Sequence, residues 1–303
     1  MHLIPTFPEQ TPLLLGHRPI LQPYLLENRN GISELSMASL YPFTEKRHYT
    51  VSRYETKENK EAFLFRGLQV VDNKKETFAI LPSGYPNKEI IEKLFTNGVS
   101  EINTIGAHNW QLWEQKIKED NLNLTISEDR DNADYIYERQ SLVDLVGQSL
   151  HKKLAHAQKF AEDNPDRVVV PTHLAKSGDM VKILDKWAEG KDVVEDYKAT
   201  LLAIQCRDEL NLKGIVLYAG NDPVAFTLGE QDTDERYIIH VEKALGNYRG
   251  VYQYINRAFA MEMPESVVEI NREQDLGIPG LRQAKLTYKP SRFLMKYKIR
   301  ESI

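Results

Sequence analysis

Apolar and polar positions along this chain fall into two repeating patterns, one of period two and one of period 3.6. The segments Tyr49–Glu55, Ala62–Val71 and Thr77–Leu81 alternate or run apolar, which predicts three strands. Pro82-Ser83-Gly84-Tyr85-Pro86-Asn87 is turn chemistry. Ile90, Ile91, Leu94 and Phe95 then share one face of a predicted helix. A short strand near Ile102–Ile105, a helix carrying Trp110, Trp113 and Ile117, and a strand Leu122–Ile126 complete this half.

The second half repeats that order. Leu212–Tyr218 and Val224–Leu228 read as strands joined through Gly220-Asn221-Asp222-Pro223, and Tyr237–Val241 as a third. The loop Gly246-Asn247-Tyr248-Arg249-Gly250 leads into a helix with Val251, Tyr254, Ile255, Ala258 and Phe259 on one face. A strand at Val267–Ile270, a helix around Leu281–Leu286 and a last strand Phe293–Tyr297 follow. Between the halves, three helices carry Leu150/Leu154/Ala157, Met180/Ile183/Leu184/Trp187 and Tyr197/Leu201/Ile204. This order is that of an α+β protein with two tandem GNAT-like acyltransferase lobes, each a mixed sheet flanked by helices. The polar stretch Ser127–Ala133 reads as the linker. It divides a degenerate, structural lobe at residues 1–130 from a lobe at 131–303 that carries the donor site.

Composition narrows the setting. The 303 residues are 41% hydrophobic and 27% charged, with a net charge of -5, which fits two packed domains and argues against a general nucleic-acid coat. One cysteine, Cys206, excludes an intramolecular disulfide and points to a reducing cytoplasm. Neither the N-terminus nor Leu13-Leu14-Leu15 has the length of a membrane span. His151 and His156 are five apart, so no metal site is expected from them.

Acyl transfer needs a held donor, a polarised carbonyl and a base. Gly246 and Gly250 bracket a loop placed to take a phosphate on backbone N–H groups, although Tyr248 departs from the Gly-rich pyrophosphate loop of acetyl-CoA users. His240 and Glu242, two apart on the strand before it, are expected to face one side and to serve as base, with backbone N–H groups near Val241 polarising the carbonyl. From Asn271 onward eight Lys/Arg outnumber three Asp/Glu. Tyr248, Arg249, Gly250, Asn271, Arg272, Arg282 and Lys285 are therefore the candidate donor-binding residues, with Arg272 and Arg282 turned to one anion.

Asn271–Arg292 with Tyr248-Arg249-Gly250, and Asp134–Tyr137 followed by Leu150–Lys153 and His156, resemble the C-terminal domain of aminoacyl-phosphatidylglycerol synthases (phosphatidylglycerol lysyltransferases) and their soluble stand-alone relatives. That family has two GNAT-like lobes, similar to the Fem aminoacyltransferases. The resemblance implies an acyl- or aminoacyltransferase with aminoacyl-tRNA as donor, no tightly bound cofactor, and a small-molecule, lipid or peptide acceptor offering an amine or hydroxyl. Two alternatives stay open: an acyl-CoA-dependent N-acetyltransferase, and an inactive nucleotide-, lipid- or RNA-binding module.

Overall fold

The computed structural model describes residues 3–190 and 196–302. Along the chain come β1 (Thr11–Pro12), α1 (Arg18–Asn28), α2 (Met37–Leu40), α3 (Thr44–Arg47), β2 (Thr50–Glu55), β3 (Glu61–Val71), β4 (Lys74–Ile80), α4 (Lys88–Thr96), β5 (Val99–Gly106), α5 (Trp110–Glu119) and β6 (Leu124–Glu128). Then follow β7 (Asp134–Glu138), α6 (Arg139–Asp144), α7 (His151–Asp163), β8 (Val168–Pro171), α8 (Ser177–Ala188), α9 (Tyr197–Gln205), β9 (Lys213–Ala219), β10 (Asp222–Gln231) and β11 (Arg236–Ala244). The chain ends with α10 (Val251–Glu262), β12 (Glu269–Asn271), α11 (Pro279–Leu286), β13 (Arg292–Leu294) and β14 (Lys296–Glu301). No helix among the described residues is long and apolar enough to cross a membrane.

The chain divides into two units. The first joins Met1–Ala133 to Leu294–Ile303, and the second is Asp134–Phe293. This corrects the assignment of 131–303 to one lobe: the last ten residues return to the first unit. Phe293–Tyr297, expected as a single strand, is two strands that break at Met295, β13 in the second sheet and β14 in the first. The stretch Ser127–Ala133 is also less of a linker than its polarity suggests, because β6 runs through Glu128.

Each unit holds a seven-stranded mixed sheet. The first has the order β1-β2-β3-β4-β5-β14-β6 and the second β13-β7-β12-β11-β10-β9-β8. In the first, β4 pairs parallel with β5, and β14 lies antiparallel between β5 and β6. In the second, β9, β10 and β11 are antiparallel, β11 pairs parallel with β12, and β7 lies antiparallel beside β12. Both sheets therefore follow the GNAT-like plan of antiparallel strands meeting a parallel partner.

The core of the second unit forms on the α10 face of its sheet. α10 begins where Gly250 takes a left-handed turn and ends before Pro264, which cannot continue it. Val251, Ile255 and Phe259 are buried on this helix against Tyr237, Ile239 and Ala244 of β11, together with Tyr135, Tyr137 and Phe160. Each fully buried large apolar side chain contributes about 1.5–3 kcal/mol. The opposite face takes α8, whose Met180, Ile183 and Leu184 are buried.

Candidate functional site

Two departures from regular sheet build the site. The first is divergence. β11 and β12 pair only over Arg236↔Glu269, Tyr237↔Ile270 and Ile238↔Asn271, after which β12 stops and β11 runs on to Ala244. The second is a bulge. Gly229 pairs with Ile239 and Leu228 with Val241, so His240 is an extra residue on β11. Side-chain alternation reverses across it: Tyr237 and Ile239 before the bulge and Ala244 after it lie in one core cluster. Glu242 consequently shares the α10 face with Ala244, and His240 leaves on the other. The expected same-side pair of His240 and Glu242 is corrected by this one inserted residue.

His240 is buried between two carboxylates, with Nδ1 2.7 Å from Glu273 and Nε2 3.1 Å from Glu230. Burial would lower its pKa, but the hydrogen bonds and charges of Glu230 and Glu273 outweigh it and raise the imidazole to about 9. A ring already protonated at neutral pH is no proton acceptor there. His240 instead ties the segment after β12 to β11.

Glu242 has the opposite surroundings. Its carboxylate accepts from Arg272 Nη2 at 3.2 Å and from Asn256 Nδ2 of α10 at 3.2 Å. Thr227 stands directly across from it on β10. The Arg272 guanidinium lies 5.0 Å from the Tyr288 ring centroid and 5.8 Å from that of Tyr137, and the Lys153 ammonium lies 4.5 Å from Tyr288. Burial first, then the Arg272 charge, pushes the Lys153 pKa down. Three buried atoms in this group, Arg272 Nη1, Asn256 Oδ1 and Thr227 Oγ1, find no hydrogen-bond partner among the described residues. Buried polar atoms left unmatched cost about 1–3 kcal/mol each, so three of them near one carboxylate single out this cluster as the candidate site.

The remaining predicted residues bond to partners other than Glu242. Asn271 is buried, donating to Asp134 Oδ2 at 3.0 Å and accepting the Glu273 N–H at 2.7 Å. Lys285 donates to the carbonyls of Arg272 and Gln274 at 2.5 and 2.6 Å. Burial lowers its pKa to about 8. Arg282 forks onto Asp275 at 2.9 and 2.7 Å, and Tyr135 donates to the same carboxylate at 2.5 Å. Arg272 and Arg282 therefore face different carboxylates and do not converge on one anion. Arg249 is exposed and near enough to Lys159 of α7 for the two charges to repel. Tyr248 packs against the core. At Gly250 an added Cβ would lie 1.9 Å from the His156 carbonyl oxygen, so this glycine lets α7 pack close.

Sequence reasoning missed Lys153 and Tyr137 as members of this group, and Thr227, Asn256 and Tyr288 altogether. Asn256 had a signal: it sits four residues from both Tyr252 and Ala260, on a helix stripe that is otherwise apolar.

Comparison with known proteins shows the family and the fold. The sequence profile described as phosphatidylglycerol lysyltransferase, C-terminal, matches residues 28–300. A crystal structure of a conserved protein of unknown function from Bacteroides thetaiotaomicron superposes with a TM-score of 0.81 at 25% identity, over 96% of this chain and 99% of that one. The structure of L-PGS from Bacillus licheniformis superposes at 0.55 with 12% identity, over 87% of this chain and 91% of that one, a likeness of fold. An uncharacterised protein of Mycoplasmoides gallisepticum is 22% identical over 174 residues, so the match spans only 56% of this chain and 56% of that relative.

Proposed function

The chain belongs to the family of phosphatidylglycerol lysyltransferase C-terminal domains, and from that premise we propose that it moves an aminoacyl group from tRNA to an acceptor hydroxyl or amine at Glu242. Family and fold support an acyltransferase of this type. The carrying observation is the set of unmatched buried atoms. Asn256 Oδ1 and Thr227 Oγ1 offer acceptors that an acetyl group cannot satisfy, whereas an aminoacyl group brings an α-amine.

In this reading Glu242 is the catalytic base. A carboxylate has about four lone-pair sites, and two are taken by Arg272 and Asn256, leaving room for a substrate proton. The acceptor oxygen or nitrogen attacks the ester carbonyl as Glu242 takes its proton. Arg272 Nη1–H, with backbone N–H groups near Val241, stabilises the oxyanion. Collapse expels the ribose oxygen, which recovers the proton from Glu242. Asn271, Arg282 and Lys285 hold the loop that sets Arg272 in place.

Incubating the protein with labelled lysyl-tRNA and phosphatidylglycerol vesicles, and separately with small amines, tests the reading. Transfer of label is expected, with Glu242→Gln lowering kcat by about 10²–10⁴. Full activity in that variant, or turnover with acetyl-CoA and none with charged tRNA, would overturn it.

A further inference from the structure

Backbone pairing of β11 with β12 ends at Ile238↔Asn271, and side chains take over beyond it. Arg272 donates to Glu242 at 3.2 Å, and the next residue, Glu273, meets His240 at 2.7 Å. The bulge sends His240 and Glu242 to opposite faces of β11. Two consecutive residues of one segment therefore grip β11 from both sides, at the point where the sheet opens. The backbone of the same segment is fixed on its other flank. The Arg272 N–H donates to the Tyr135 carbonyl of β7 at 3.0 Å, and the Tyr135 N–H donates to the Glu273 carbonyl at 3.1 Å. Those bonds set the segment along β7, and the two side-chain pairs set it across the opening.

The two grips differ in stiffness. On the His240 side both ring nitrogens face carboxylates, Glu273 and Glu230, and a neutral ring has an N–H for only one of them. The ring is thus a double donor clamped between two acceptors. Glu230 stands on β10 across from Ile238, and its side chain and that of His240 are each 6% exposed. Glu273 has a φ of 58°, a left-handed conformation that a residue with a Cβ keeps only where its surroundings hold it. Asn271 Oδ1 holds its N–H at 2.7 Å, and His240 holds its carboxylate. On the Glu242 side the contact is lighter. One guanidinium nitrogen, Nη2, reaches the carboxylate, and Nη1 is among the unmatched atoms. The stiff grip is therefore placed to decide where the light one falls.

We propose that His240 is a positioning residue: by holding Glu273 it sets the direction of the adjacent Arg272 and so places the guanidinium on Glu242. The effect on turnover rests on the transfer reading above, whereas the placement of Arg272 rests on the side-chain geometry alone. His240→Gln and Glu273→Gln, singly and together, test it on the full chain. Glu273→Gln is the milder change, at a side chain 23% exposed, and keeps the test open if His240→Gln does not fold. Heteronuclear NMR follows the Arg272 Nε–H resonance, assigned by its loss in Arg272→Lys. Each single variant is expected to shift or broaden that resonance at neutral pH. Each should also lower kcat by about ten- to a hundredfold, the scale of a misplacement near 1 Å, with the donor KM within about threefold. The double variant should be no worse than either single one, because all three break the same link. An unmoved Arg272 resonance, or wild-type kcat per folded molecule beside a lowered melting temperature, would sink the positioning role and leave Glu242 as the base. If the wild-type protein transfers no label from charged tRNA, the transfer reading fails, and the Arg272 resonance alone decides the placement.

Discussion

At the residue scale, His240 and Gly250 carry consequences that differ from the roles their positions suggest. His240 has a raised folded-state pKa, so its contribution is complete below the unfolded value near 6.5 and is lost as pH climbs towards about 9. Thermal unfolding followed from pH 6.5 to 9 should show the melting temperature falling by several degrees, and His240→Gln should flatten that slope. Lys285, lowered to about 8, works in the opposite sense above pH 8, which is why the single variant is needed to isolate the imidazole. Gly250 combines a φ of 81° with the His156 carbonyl 1.9 Å from any Cβ. Gly250→Ala should therefore cost at least about 2 kcal/mol in urea unfolding, through backbone strain plus displacement of α7. A donor-loop glycine would show its loss in substrate affinity with stability retained.

At the scale of elements, the loop from β12 to α11 is a bracket. Arg282→Ala would leave the wholly buried Asp275 without its guanidinium; the Arg282 side chain is 35% exposed, so the expected loss is about 1–3 kcal/mol, below that of a fully buried pair. Unfolding curves should show this loss, and a variant that kept full stability while losing donor affinity would restore Arg282 as a binding residue. Strongly periodic elements were legible beforehand: α8 and α10 from their apolar faces, β9 to β11 from alternation, and the order of elements that identifies the lobes. What escaped has a common physical cause. Counting by twos cannot reveal an inserted residue, so His240 and Glu242 were placed on one side of β11. Phe293–Tyr297 is one apolar run whose break at Met295 is decided by pairing in two different sheets. Thr227, Tyr137 and Tyr288 look like ordinary strand and core residues until tertiary packing gathers them around Glu242.

At the scale of the molecule, the two sheets exchange strands along the chain. β7 follows β6 in sequence yet sits beside β12, and β14 follows β13 yet fills the place between β5 and β6. Deleting residues 294–303 removes the fully buried Ile299 and Lys296 and leaves β5 and β6 without their shared partner. Limited proteolysis of that truncation should degrade 1–133 while a core near 134–293 persists; equal resistance of both units would contradict the pairing. The same connection sets a timetable for biosynthesis. β6 leaves the ribosome about 170 residues before β14, which at ordinary elongation rates is a delay of roughly ten to thirty seconds. The unit translated first is thus the one completed last, its sheet open between β5 and β6 until then.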